Sequence, residues 1–145
     1  MDATTARNIA HYSHVDQRDR FGEPLIEHVE RVAAAVPDEA RAVAFVHDVV
    51  EHTDTGFEEM ISHGLAPVEL AALDLLTRAP EESFEAYVLR IAHAPGPPGE
   101  LARTVKLADL DDHLARPSVP PGAPAYGWAR LHVVGAQARM AGRAA

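Results

Sequence analysis

The sequence predicts an all-α fold, a single compact helical bundle, on three observations. Apolar residues recur at intervals of three and four in successive segments, the spacing that lines one face of a helix. Glycine and proline fall between those segments, at Gly22 and Pro24, Pro37, Gly64, and residues 94–99. No stretch alternates apolar and polar residues long enough to make a strand, and no internal repeat is visible. Helices joined by short loops follow from these.

Residues 3–15 give a moderate helical pattern through Ile9, Ala10, Tyr12 and Ser13, broken by a charged loop over 16–24. Residues 25–35 place Leu25, Val29 and Val32 on one stripe with His28 beside it, and Pro37 closes that helix. Pro37 also suits the first position of the next helix, whose Asp38 and Glu39 complement the positive end of the helix dipole. Ala40, Val43, Ala44, His47 and Val50 continue one face, predicting a helix to about residue 52 with His47 on its core side. Thr55-Gly56-Phe57-Glu58 has the spacing of a capping box and starts a short helix that Gly64 stops.

Pro67 opens a helix with Val68, Ala71, Ala72, Leu75 and Leu76 as its predicted buried side. Phe84, Tyr87, Val88 and Ile91 make residues 83–93 amphipathic, and residues 94–99 read as a loop. Residues 100–114 form a helix through Leu101, Val105, Leu107, Ala108 and Leu110. This helix also bears Lys106, Asp109, His113 and, on its solvent side, Asp111 and Asp112. Residues 117–124 are a proline-rich linker. Residues 125–142, with Trp128, Leu131, Val133 and Val134, predict a last helix packing on the same domain, so the chain divides as 1–116 and 117–145. Trp128 and its apolar neighbours can pack within the monomer or across the seam of a homo-oligomer.

A chain of 145 residues is one domain, able to bury about two-thirds of its unfolded surface. Cysteine is absent, which excludes disulfides, thiolate ligands and cysteine nucleophiles and leaves His and carboxylate as the metal donors. A net charge of -9 weighs against nucleic acid as a partner, since an extended phosphate backbone needs a basic face. The N-terminus lacks a basic and apolar leader, and no apolar run is long enough to span a bilayer, so the expectation is a soluble cytoplasmic protein with no membrane partner.

The densest chemistry lies in residues 45–54, Phe45-Val46-His47-Asp48-Val49-Val50-Glu51-His52-Thr53-Asp54. On a helix, His47, Asp48, Glu51 and His52 share one arc, and burying even one unpaired carboxylate costs several kcal/mol. Water or a divalent cation must therefore reach that arc. A zinc-protease helix is excluded, because His47 has no second His four residues on and is followed by Asp rather than Glu. His28 and Asp109, on other helices, are further candidate donors, although each taken singly reads as an ordinary helix residue.

In this order, His28, the adjacent pair His47-Asp48 and the distant Asp109 resemble the HD-domain metal-dependent phosphohydrolases. The resemblance is closest to the small (p)ppGpp hydrolase branch of the RelA/SpoT family. It is carried by His14-Val15-Asp16-Gln17 with Gly22-Glu23-Pro24-Leu25-Ile26-Glu27-His28, by residues 45–54, and by Val105-Lys106-Leu107-Ala108-Asp109, and it covers about residues 7–114. It implies an HD-type helical domain that binds a divalent ion, manganese first, through His28, His47, Asp48 and Asp109. The activity implied is hydrolysis of a phosphate or pyrophosphate ester of a nucleotide or similar small molecule, with (p)ppGpp the first substrate to consider. Glu51 falls where the family keeps a carboxylate that orients or deprotonates the attacking water, a role that typically contributes about 10²- to 10⁴-fold.

Three positions depart from the family pattern. His52 stands where Asp is usual beside Glu51, which makes it a second catalytic candidate; His113 stands where Asn helps hold the nucleoside. Asp19 stands where Arg is common, leaving Arg18 and Arg20 as the loop's substrate-binding candidates. Lys106, the only lysine, can reach a phosphate or pair with Asp109 or Asp112. All three departures touch substrate recognition or the water and leave the four donors intact. The alternative function is a non-catalytic module holding a metal or a nucleotide, and a plain helical scaffold is the third reading.

Overall fold

In the computed structural model, which describes residues 1–116 and 122–144, the chain is all-α. The helices are α1 (Ala3–Ser13), α2 (Leu25–Ala35), α3 (Asp38–Val46), α4 (Val49–His52), α5 (Phe57–Ser62), α6 (Pro67–Leu76), α7 (Phe84–His93), α8 (Gly96–Leu114) and α9 (Tyr126–Ala144). No strand occurs among the described residues, only an isolated antiparallel bridge between Arg18 and Pro24. Residues 117–121 of the predicted linker lie outside the described residues.

Helix α3 is the hub. Its residues 42–46 are all buried, and it packs against α1, α2, α6 and α8. A helix apolar all round belongs in an interior, and here Ala42 and Ala44 let its neighbours approach closely. Helix α8 lies across α2 and α6, while α9 covers α7 and α8 through Tyr126, Ala129, Val133 and Ala136. Leu131 and Val134, expected on that packed face, point outward instead. The i, i+3, i+7, i+10 register begun by Tyr126 excludes them.

Four other expectations are corrected. The helix predicted to run from Pro37 to about residue 52 breaks at His47-Asp48, where Asp48 adopts φ -99°, ψ -8°, so α3 and α4 are separate. Helix α5 is capped by Gly56 rather than Thr55, whose hydroxyl lies against that of Ser13, so the Thr55 capping box does not form. The buried side of α6 is Ala72, Leu73 and Leu76, with Val68 and Ala71 exposed. Residues 96–99 are the first turn of α8, not loop: Pro97 and Pro98 need no backbone donor there and carry a helix-compatible φ. Gly99 is required in that turn, because a Cβ on it would sit 2.0 Å from the Ala94 carbonyl oxygen.

Candidate metal centre

The break between α3 and α4 sets the site. At Asp48 the backbone leaves the regular helix for one residue, and the His47 and Asp48 side chains come within 3.4 Å of each other, Nε2 to Oδ1. Helix α2 supplies His28 and helix α8 supplies Asp109, both buried. His28 Nε2 lies 3.2 Å from Asp109 Oδ1 and 3.9 Å from Asp48 Oδ2, and His47 Nε2 lies 3.9 Å from Asp109 Oδ1. The four donors named from sequence are thus brought together from three parts of the bundle.

Both histidines are held by the ring nitrogen that does not face the centre. His47 Nδ1 donates to the Ala44 carbonyl oxygen at 2.7 Å. That oxygen can only accept, so Nδ1 carries the proton and Nε2 is left with its lone pair. His28 Nδ1 is tied in the same way to Asp112 Oδ2 at 2.7 Å. Both Nε2 atoms are buried without a hydrogen-bond partner. Lone pairs aimed among carboxylate oxygens repel unless a cation, a proton on His28 or a metal ion, lies between them, and buried polar atoms are rarely left unpaired. The donor set therefore fits a divalent metal of the kind that takes imidazole and carboxylate.

Asp112 was expected on the solvent side, and that is corrected. Its carboxylate is mostly buried and accepts from Arg31 Nε at 2.6 Å and Nη2 at 3.1 Å as well as from His28. Its pKa is held far below the usual carboxylate range: burial opposes its charge, but the hydrogen bonds from His28 and Arg31 outweigh burial. Asp112 is three residues past Asp109 and Arg31 three past His28, but only the packing of α2 on α8 brings the two together.

Lys106 pairs with Asp109, Nζ to Oδ2 at 2.7 Å, and its ammonium lies 4.8 Å from the centre of the Tyr87 ring. Burial alone would discharge both partners. Instead the Lys106 charge, with His113 and His28, holds Asp109 well below its ordinary pKa, and Asp109 in turn holds Lys106 charged. Asp48 is likewise lowered, burial being outweighed by His47 and His28. Burial opposes the charge of His28, but the Asp109 and Asp112 carboxylates beside its two nitrogens push it up to about 10 in the metal-free protein, where a proton occupies the position a metal would take.

Above this floor opens a cleft of about 480 Å³. Glu51 lines it with Oε2 accepting the Arg78 backbone N–H at 3.0 Å, while Oε1 lies 3.8 Å from His52 Nε2 and from Arg78 Nε. His52 is half-exposed, and its carbonyl oxygen accepts from Gln17 Nε2 at 2.6 Å. Arg18 and Arg20 stand exposed on the 16–24 loop. Arg18 donates to the Gly22 carbonyl oxygen at 2.7 Å, and the Arg20 guanidinium lies 6.0 Å over the Tyr126 ring. His113 points inward from α8, its Nε2 3.1 Å from Asp109 Oδ1, with its ring stacked on Tyr126 at 4.5 Å and 6°. Sequence reasoning missed Arg78, Tyr87 and Tyr126 in this cleft, because each lies on an element with no chemical motif of its own.

Fold and site together define a class: an all-α bundle whose hub helix presents a buried His/Asp cluster of metal-binding composition. No family model matches the chain, and no curated protein matches it. Among solved structures it is similar to a metazoan ortholog of SpoT, a protein that hydrolyzes ppGpp and plays a role in starvation responses. The TM-score is 0.72 with 22% sequence identity, over 97% of this chain and 92% of that one. The chain has the fold of that SpoT ortholog.

Proposed function

We propose that the protein is a metal-dependent phosphohydrolase acting on a nucleotide or a similar small phosphorylated molecule. The observation that carries this reading is the pair of buried Nε2 atoms of His28 and His47, without hydrogen-bond partners, facing Asp48 and Asp109. His28, His47, Asp48 and Asp109 would hold a divalent cation, manganese being the first to try, which when bound would lower the pKa of a water or polarise a phosphoryl oxygen. Glu51 orients the attacking water and takes its proton on Oε1, the oxygen free of the Arg78 backbone. His52 Nε2 lies 3.8 Å from that oxygen, beyond direct hydrogen-bond reach, so it would take the proton in turn through one intervening water.

Lys106 keeps the floor from accumulating negative charge, and Arg18, Arg20 and Arg78 give the mouth the positive charge a phosphate needs. The substrate to try first is ppGpp, since a protein of the same fold hydrolyzes it. The net charge of -9 supports a small-molecule partner over a nucleic acid, and no helix among the described residues is long and apolar enough to cross a membrane. The cytoplasm is the proposed compartment. Sedimentation of the purified protein decides between a monomer and a homo-oligomer.

The test is a panel of nucleotides and sugar phosphates, ppGpp included, incubated with manganese-loaded protein. Phosphate or pyrophosphate should be released, and His47→Ala should abolish the release. No release from any compound, with His47→Ala indistinguishable from wild type, overturns the proposal.

A further inference from the structure

The metal sphere of this chain has a donor beyond the four named above: we infer that His113 is a fifth ligand, through Nε2. The inference rests on the metal-binding reading of the preceding section. It is carried by where the nitrogen sits. Asp109 spends Oδ2 on Lys106, which leaves Oδ1 facing the centre, and two imidazole nitrogens approach that single oxygen, His28 Nε2 at 3.2 Å and His113 Nε2 at 3.1 Å. Neighbouring ligand atoms on a six-coordinate ion with bonds of about 2.1–2.2 Å lie about 3.0–3.1 Å apart. Both separations match that spacing. The three atoms form one potential donor group, and His28, His47 and Asp48 form another, with His28 common to both.

The ring of His113 is fixed for this role. It lies between His28, 4.9 Å away and tilted by 36°, and Tyr126, stacked at 4.5 Å. One face is therefore closed by Tyr126, and its edge is turned to the floor. With Tyr126 stacked on one face and His28 beside the ring, the position is turned from the substrate-holding role expected of it toward one at the metal.

A third imidazole has a chemical consequence. Nitrogen donors favour cobalt over manganese more strongly than carboxylate oxygens do. The sphere should therefore bind Co²⁺ more tightly relative to Mn²⁺ than a sphere of two imidazoles and two carboxylates, with one fewer position open to water or substrate.

The experiment uses the full chain, stripped with chelator and titrated separately with Co²⁺ and Mn²⁺, for wild type, His113→Asn and a surface control, His132→Asn. The visible absorption of the Co²⁺ form reports the donor set directly. His113→Asn should change that absorption and weaken Co²⁺ binding by about tenfold or more, with a smaller loss for Mn²⁺, while His132→Asn matches wild type. If His113→Asn unfolds by circular dichroism, His113→Gln takes its place with the same expectation. Unchanged absorption and affinity in the variant overturn the fifth ligand while leaving the four-donor site standing. Wild-type protein that binds neither ion overturns both.

Discussion

The floor of the cleft and its rim carry charge by opposite means. At the floor, buried groups are anchored away from the centre: His47 on Ala44, His28 on Asp112, Asp109 on Lys106, and Asp112 in turn on Arg31. At the rim, Arg18 and Arg20 are exposed and keep their charges by hydration. A buried charge is held only by a complete set of partners, whereas an exposed one needs none. Damage to the floor should therefore cost metal and stability together, and damage to the rim should cost substrate affinity alone.

Asp109→Ala is the strongest test of that contrast. It removes a candidate ligand and leaves the Lys106 ammonium buried without its partner, a change that typically costs about 3–5 kcal/mol. Stoichiometric metal by elemental analysis and turnover should both vanish, and the melting temperature of the metal-free protein should fall. A variant that melts like wild type would place floor and rim on equal footing. Glu51→Gln tests the boundary between the two. Its carboxylate is anchored by Oε2 to the Arg78 backbone but faces the cleft, so turnover should drop by about 10²- to 10⁴-fold while bound metal stays at the wild-type level.

What could be read from sequence follows the same division. His47 and Asp48 were legible because titratable groups crowd one arc of an apolar helix, whereas His28 and Asp109, ordinary when taken singly, were picked out only by the order in which all four occur. Asp112 was not, since a third acidic residue in Asp109 to Asp112 looks solvated until α2 is placed beside α8 and Arg31 is seen to reach it. The break between α3 and α4 was also hidden: the apolar repeat runs through residues 40–50 without interruption, while the backbone turns at Asp48. Helical periodicity reports which face is buried, not whether the helix stays continuous. In the last helix the apolar content was right and the register wrong, because Leu131 is as hydrophobic as Val133 yet faces outward.

A milder change separates anchoring from ligation. Asp112→Asn keeps the shape and removes the charge that fixes the His28 ring, and loss of such a partner typically weakens metal binding by about 10- to 100-fold. Calorimetric titration should show that loss for Asp112→Asn and a smaller one in the same direction for Arg31→Ala. Equal binding in all three proteins would mean that helix packing alone orients His28.

The metal-free floor should also show its wiring in pH. His28 has a pKa of about 10 in the folded protein against an ordinary value of 6.5, so it is charged in the folded state where it would be neutral in the unfolded one. Its stabilisation is complete below pH 6.5 and is lost as pH rises through about 10. Lys106, with an ordinary value of 10.5 and raised further, stays charged through that window. The melting temperature of chelator-treated protein should fall between pH 7 and 10, and His28→Asn should flatten the fall. A wild-type curve already flat would contradict the anchoring of His28 by the two carboxylates.

The smallest effect belongs to the rim. Arg20 is exposed, reaches the cleft over the Tyr126 ring, and has no buried partner to strand when it is removed. An exposed charge acts on a phosphate through water and salt, so Arg20→Ala should raise KM by about two- to fivefold and leave kcat, bound metal and melting temperature unchanged. The effect should shrink as salt is raised past about 0.15 M, where exposed charges are screened over about 8 Å. Steady-state kinetics at two ionic strengths checks it. A fall in kcat, or a loss of metal, would place Arg20 with the floor and erase the division between the two regions.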